Sequence, residues 1–204
     1  TYGELYKQVC RLSNIYKEDG KILTRTAQGI HKYGTDWTLS FWFKPAFWPS
    51  TQWLFSTYTK GDVGSAWIHI VGGTGELKIQ FQTDHYDNGE STVADLRPGV
   101  DVKTDEWLHL HFTFDSATST LRNYVNGLEG TPYVNGEFLG LNLFNTAVNE
   151  LNLITGAQYA AQTPMQGSGY YSDFYYVPGQ LVPADVFARN FQGKWGPRSK
   201  DEVT

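Results

Sequence analysis

The chain has 204 residues, of which 18% are charged and 16% aromatic (13 Tyr, 12 Phe, 7 Trp), with 16 Lys and Arg against 21 Asp and Glu. That length and an apolar content of 40% support one sizeable core and exclude global disorder or coiled coil, and a net charge of −5 without a basic block excludes nucleic acid as a partner. The single Cys10 makes neither an internal disulfide nor a paired-cysteine zinc site, and no apolar run approaches the roughly 20 residues that span a bilayer as a helix.

Alternation of period two recurs along the chain, whereas a sustained helical period does not. The first strand candidates are 22–26 and 36–45. In the second (DWTLSFWFKP), Trp37, Leu39, Phe41 and Phe43 share one face and Thr38, Ser40, Trp42 and Lys44 the other, until Pro45 removes a ladder donor. Candidates follow at 52–58 and 66–71. In 76–82 (ELKIQFQ), Leu77, Ile79 and Phe81 alternate with Lys78, Gln80 and Gln82, as in a half-buried antiparallel strand. In 106–115 (EWLHLHFTFD), Leu108, Leu110, Phe112 and Phe114 oppose Trp107, His109, His111 and Thr113. Further strands are expected at 120–125, 139–143, 150–155 and 169–177.

The pairs Asp19-Gly20, Gly72-Gly73, Asn88-Gly89, Asn126-Gly127 and Asn135-Gly136 punctuate these runs, because Gly and Asn take positive φ at little cost. A helix of about two turns is expected at 183–190, with Pro183 in its first turn. Strands so punctuated predict one all-β domain, sandwich or barrel, over residues 1–196. The polar run 197–204 predicts a frayed exit toward the rest of a larger parent protein, and a start at Thr1-Tyr2 without Met fits an excised domain.

The segment EWLHLHFTFDSATSTLRNYVNG (106–127) resembles the Trp-x-His strand, hairpin and Tyr-Val-Asn-Gly turn of the concanavalin A-like lectin/glucanase superfamily, in its laminin-G-like branch. DWTLSFWFKP, followed by QWLFSTY, is similar to that family's early inner-sheet strand. GYYSDFYYVPGQLVPADVFARN (169–190) is similar to its closing strand and short helix. The resemblance implies a two-sheet antiparallel jelly-roll sandwich with one short C-terminal helix. It does not fix a function, because lectins, adhesive modules and glycanases share the architecture.

Catalytic patterns are sparse. Glu76, Asp84, Asp87, Glu90, Asp105, Glu106, Asp115, Glu137 and Glu150 fall in loops or at strand ends, not as the close carboxyl pair of a glycosidase. His109, His111, Arg122 and Tyr124 would meet across the 106–127 hairpin in a lyase-like set, yet alternate histidines on a non-core face read more readily as surface or groove residues. His109-x-His111 is a common strand spacing and a weak chelating signal. Gly72-Gly73-Thr74-Gly75 lacks the Lys and helix of a phosphate loop, and no serine nucleophile elbow is present. A non-enzyme without an organic cofactor is expected.

For sugar binding, aromatic faces must lie against pyranose C–H patches while Asn, Asp and Gln read hydroxyls. Loops or strand ends offer such mixtures at Trp48 and Trp53, at His85, Tyr86 and Asp87, at Tyr133 and Asn135, and at Tyr159. Trp37 is assigned to the core, and Trp42 and Trp107 to the opposite, concave face. The resemblance implies calcium, with Asp173 at the closing-strand position and Asp19 beside the early Gly turn; the equal alternative is that Asp173 bonds neighbouring backbone. The expected function is a lectin-like carbohydrate-binding or adhesive module with a glycan or glycoprotein partner and no membrane insertion. An extracellular or surface location is expected, with an intracellular parent also compatible because no Asn-x-Ser/Thr sequon is present. A protein-interaction module or viral receptor-binding head on the same sandwich is the alternative, and a polysaccharide hydrolase or lyase the third reading.

Overall fold

The computed structural model describes residues 15–16, 23–27, 36–45, 52–58, 65–71, 78–85, 90–96, 106–134, 149–153, 169–198 and 200–203. Its strands are β1 (Ile15–Tyr16), β2 (Leu23–Ala27), β3 (Trp37–Pro45), β4 (Gln52–Tyr58), β5 (Ser65–Val71), β6 (Lys78–His85), β7 (Glu90–Leu96), β8 (Leu108–Asp115), β9 (Thr120–Val125), β10 (Leu128–Glu129), β11 (Tyr133–Val134), β12 (Asn149–Leu153) and β13 (Gly169–Pro178). The one-turn helix α1 (Ala184–Phe187), strands β14 (Ala188–Phe191) and β15 (Lys194–Pro197) and helix α2 (Lys200–Val203) follow. The expected strand at 139–143 lies outside the described residues.

Two antiparallel sheets make the jelly-roll sandwich. The first has the order β1-β13-β3-β8-β9-β10, with β11 also on β9, and the second the order β2-β12-β4-β5-β6-β7; β14 and β15 form a separate hairpin.

The centre of the first sheet follows directly from alternation. Pairing Trp37 with Phe114, Leu39 with Phe112, Phe41 with Leu110 and Phe43 with Leu108 puts eight large apolar residues on one face. All are buried. Trp37 stacks on Phe114 with ring centroids 5.9 Å apart, and Phe41 lies 5.6 Å from Phe174 and 6.2 Å from Tyr171. Burying aromatic side chains on this scale supplies the hydrophobic stabilisation that a disulfide-free domain depends on.

Two local devices set the register. Asn126 and Gly127 both take positive φ (51° and 77°), the conformation of a type I′ hairpin turn, between the paired Val125 and Leu128. In β13 the ladder shifts between Ser172 and Tyr175, and Asp173 takes φ 47°. The extra residue keeps Tyr171, Phe174 and Tyr176 buried against the core while Tyr175 and Val177 join a second apolar cluster with Val182, Phe187 and Val203.

That second cluster lies on the other face of the same sheet. The expected helix at 183–190 is limited to Ala184–Phe187, with Pro183 at its N-cap making no side-chain capping bond. Ala188 already has extended dihedrals and pairs with Pro197, as Arg189 does with Gly196 and Asn190 with Trp195. One turn of helix is too short to propagate, so the hairpin takes the residues that would have continued it. Where a frayed end was expected, Val203 is buried in the cluster and Glu202 pairs with Arg189 at 2.7 Å. No helix among the described residues is long and apolar enough to cross a membrane.

Candidate functional site

The centre of the outer face of the first sheet is closed. Alternation places Ser40, Trp42, His109 and His111 there, and all are buried, with His109 against Trp195 of the C-terminal hairpin and His111 against Phe187 of α1: His109 and His111 are 0% exposed and Trp42 4%. This corrects the expectation that the two histidines and Trp42 line an open face; their polar and aromatic character answers to the hairpin, not to solvent. Trp107, at 43%, is exposed as expected.

His109 accepts from the Trp195 indole N–H at Nδ1 (2.9 Å), which leaves the proton on Nε2 to donate to Ser40 Oγ (2.7 Å). Both nitrogens are therefore engaged, so the His109-x-His111 spacing does not act as a chelate. Burial, and secondarily His111, hold the His109 pKa well below the ordinary value. Burial also lowers His111 to about 3, an effect partly offset by the Val182 backbone. Neither His111 nitrogen reaches hydrogen-bonding geometry with any described group. The lyase-like set is dispersed in function: Tyr124 packs edge-on against His111, while Arg122 is exposed and paired with Glu129 at 2.6 Å.

Of the expected sugar and metal ligands, Trp48, Tyr86, Asp87, Asn135, Tyr159 and Asp19 lie outside the described residues. Trp53 sits in β4 opposite His69, His85 ends β6 opposite Glu90, and Tyr133 pairs with Leu121 in the first sheet. Trp53 and Tyr133 thus belong to different sheets. Asp173 occupies the bulge and accepts a bond from Ser172 Oγ at 2.8 Å. Among the described residues no group of three or more His, Cys, Asp or Glu comes together.

A second candidate surface emerges from the register of the six-stranded sheet. One cross-strand row joins Trp53, His69, Gln80 and Asp95; the next on that face joins Asn152, Ser56, Trp67, Gln82 and Val93. The intervening row, on the opposite face, reads Leu153, Phe55, Ile68, Phe81 and Ala94. That intervening row is apolar, and the two rows on the opposite face bring two tryptophan positions together with Gln80, Gln82, Asn152 and Ser56. A register shift between Trp53 and Phe55 brings Trp53 and Ser56 to the same face. Strand spacing and rise put the Trp53 and Trp67 positions roughly 8 Å apart on adjacent strands. Trp67, His69, Gln80, Gln82 and Asn152 share this face by register and were not among the expected ligands, which were sought in loops and at strand ends.

A family model described as the concanavalin A-like lectin/glucanases superfamily, of the laminin-G type, matches residues 18–168. The comparison with curated protein sequences gives no match. Among solved structures, the carbohydrate-binding module of the Ruminococcus gnavus intramolecular trans-sialidase superposes with a TM-score of 0.65 at 13% identity, covering 86% of this chain and 95% of that one. Domain 4 of the extracellular arabinanase AbnA from Geobacillus stearothermophilus, solved with arabinotriose, gives 0.53 at 21% identity over 86% and 84%. A heptameric pentraxin from Limulus polyphemus gives 0.56 at 15% over 83% and 75%. At these identities the likeness is one of fold.

Proposed function

We propose that this chain, which belongs to the concanavalin A-like lectin/glucanases superfamily, is a non-catalytic carbohydrate-binding module that holds its glycan on the Trp53 and Trp67 face of the six-stranded sheet. The observation that carries the reading is the register of the six-stranded sheet, which brings Trp53, Trp67, Gln80, Gln82 and Asn152 into adjacent rows on one face, while the centre of the first sheet's outer face is covered by the chain's own C-terminal segment. Tryptophan faces suit pyranose C–H surfaces, and amides read hydroxyls with both donors and acceptors. Trp48, His85, Tyr86, Asp87, Tyr133, Asn135 and Tyr159 remain proposed contributors to glycan binding.

The module is proposed to bind without turnover. The relatives' modules bound to sialyllactose and arabinotriose lend support to a glycan as ligand, and a surface or extracellular location fits that role. Titration calorimetry against an oligosaccharide panel tests the proposal, with and without chelator, beside an assay for new reducing ends. Saturable binding without turnover is expected; silence on every glycan, or turnover, overturns it.

A further inference from the structure

The covered centre of the first sheet's outer face ends within one register row. The row that joins Ser172, Trp42 and His109 is buried at both aromatic positions, with Trp195 packed on His109. One row on, Tyr170 pairs with Lys44, and continuing the Phe43 and Leu108 pairing by one residue sets Trp107 on the other side of Lys44. Here the surface opens: Tyr170 is 37% exposed, Trp107 43%, and Lys44 is half-buried. Lys44 Nζ stands 5.7 Å from the centre of the Tyr170 ring, so the ammonium lies within the aromatic row. Two strand spacings, about 10 Å, separate the Tyr170 and Trp107 positions. Exposed rings at that separation offer stacking faces to well-separated units of a linear oligosaccharide, and an ammonium between them supplies charge-assisted bonds to a carboxylate on the chain. Its several N–H donors let Lys44 serve such a ligand beside its contacts within the fold.

We propose that this row is a second glycan subsite, on the other sheet from Trp53 and Trp67, and that it takes a linear oligosaccharide of uronate units with sugar rings on Trp107 and Tyr170 and a carboxylate on Lys44. Calorimetry of the intact chain with trigalacturonate and with its neutral methyl ester tests this. The acid should bind about 10-fold more tightly than the ester, the scale of one charge-assisted contact, and should weaken as salt rises. Lys44→Gln should abolish that preference and Lys44→Arg retain it, while Trp107→Ala weakens both probes, with the melting temperature checked for each variant. Equal binding of acid and ester by the unaltered chain, or a preference for the acid that survives Lys44→Gln, overturns the inference. Trigalacturonate binding that survives Trp107→Ala but is lost in Trp53→Ala moves the ligand to the six-stranded sheet, which overturns this subsite and leaves the module reading standing. Absence of trigalacturonate binding overturns this subsite alone, since the six-stranded sheet is judged on the whole oligosaccharide panel.

Discussion

The indole of Trp195 donates to Nδ1 of His109 across 86 residues of sequence, at 2.9 Å. This bond and the 5.9 Å approach of the two rings fasten the C-terminal hairpin to the centre of the first sheet. Trp195→Phe keeps most of the ring and removes the donor, leaving a buried imidazole nitrogen unpaired. A loss of about 1–3 kcal/mol is expected from urea unfolding at unchanged m-value. In a His109→Leu background the same substitution should cost much less, because the acceptor is already gone. Equal costs in both backgrounds would show that packing alone holds the hairpin.

Gly127 faces the same indole. It has φ 77°, and a Cβ built there would stand 2.8 Å from the Trp195 ring. Gly179 has a similar φ, 74°, with nothing within 4 Å. Alanine at either site incurs backbone strain of about 1 kcal/mol, but only Gly127→Ala must also displace Trp195. Thermal melts should rank Gly127→Ala clearly below Gly179→Ala, and tryptophan fluorescence should change in the former alone. Matching melts would remove the contact from the explanation.

Acid should loosen this face. His109 and His111 are held neutral in the fold by burial, with pKa values below those of the unfolded chain. Below pH 6.5 the unfolded state binds protons that the folded state refuses, so stability falls as pH falls, and for His111 the loss continues down to about pH 3. Between pH 6.5 and 5 one such histidine costs about 2 kcal/mol. Protonated His109 also loses the lone pair that accepts from Trp195. Urea midpoints should decline between pH 7 and 5, before most carboxylates titrate, and His111→Phe should flatten that decline. An unchanged pH slope in the variant would mean that His111 does not carry the effect.

Legibility in the sequence followed the range of the interaction. The faces of β3 and β8 are readable because alternation is a local property, and Asn126-Gly127 declares its turn by residue type. The burial of His109 is not readable locally, since the residue that covers it is Trp195, contributed by a hairpin far along the chain. The same distance effect truncated the expected helix: Ala188 to Phe191 are tolerable helix formers, but pairing with Lys194 to Pro197 wins. The bulges in β13 and β4 each insert a residue into the alternation, which is why Phe174 and Trp53 stand on faces that simple counting does not give them. The face of the second sheet that carries Trp53 and Trp67 was therefore present in the sequence only in part, as Gln80 and Gln82.

Two kinds of tryptophan should separate under mutation. Trp37 is fully buried and stacked on Phe114, so Trp37→Ala removes a large core side chain and should cost roughly 3–5 kcal/mol. Trp53 stands in the row with His69, Gln80 and Asp95, on the face opposite Phe55 and Phe81. Trp53→Ala, and Trp48→Ala in the adjoining segment, should weaken glycan affinity while lowering the melting temperature far less than Trp37→Ala does. Unfolding curves and calorimetry on the same three preparations decide the matter. If Trp53→Ala proves as destabilising as Trp37→Ala, its row belongs to the core and the binding face must be sought elsewhere.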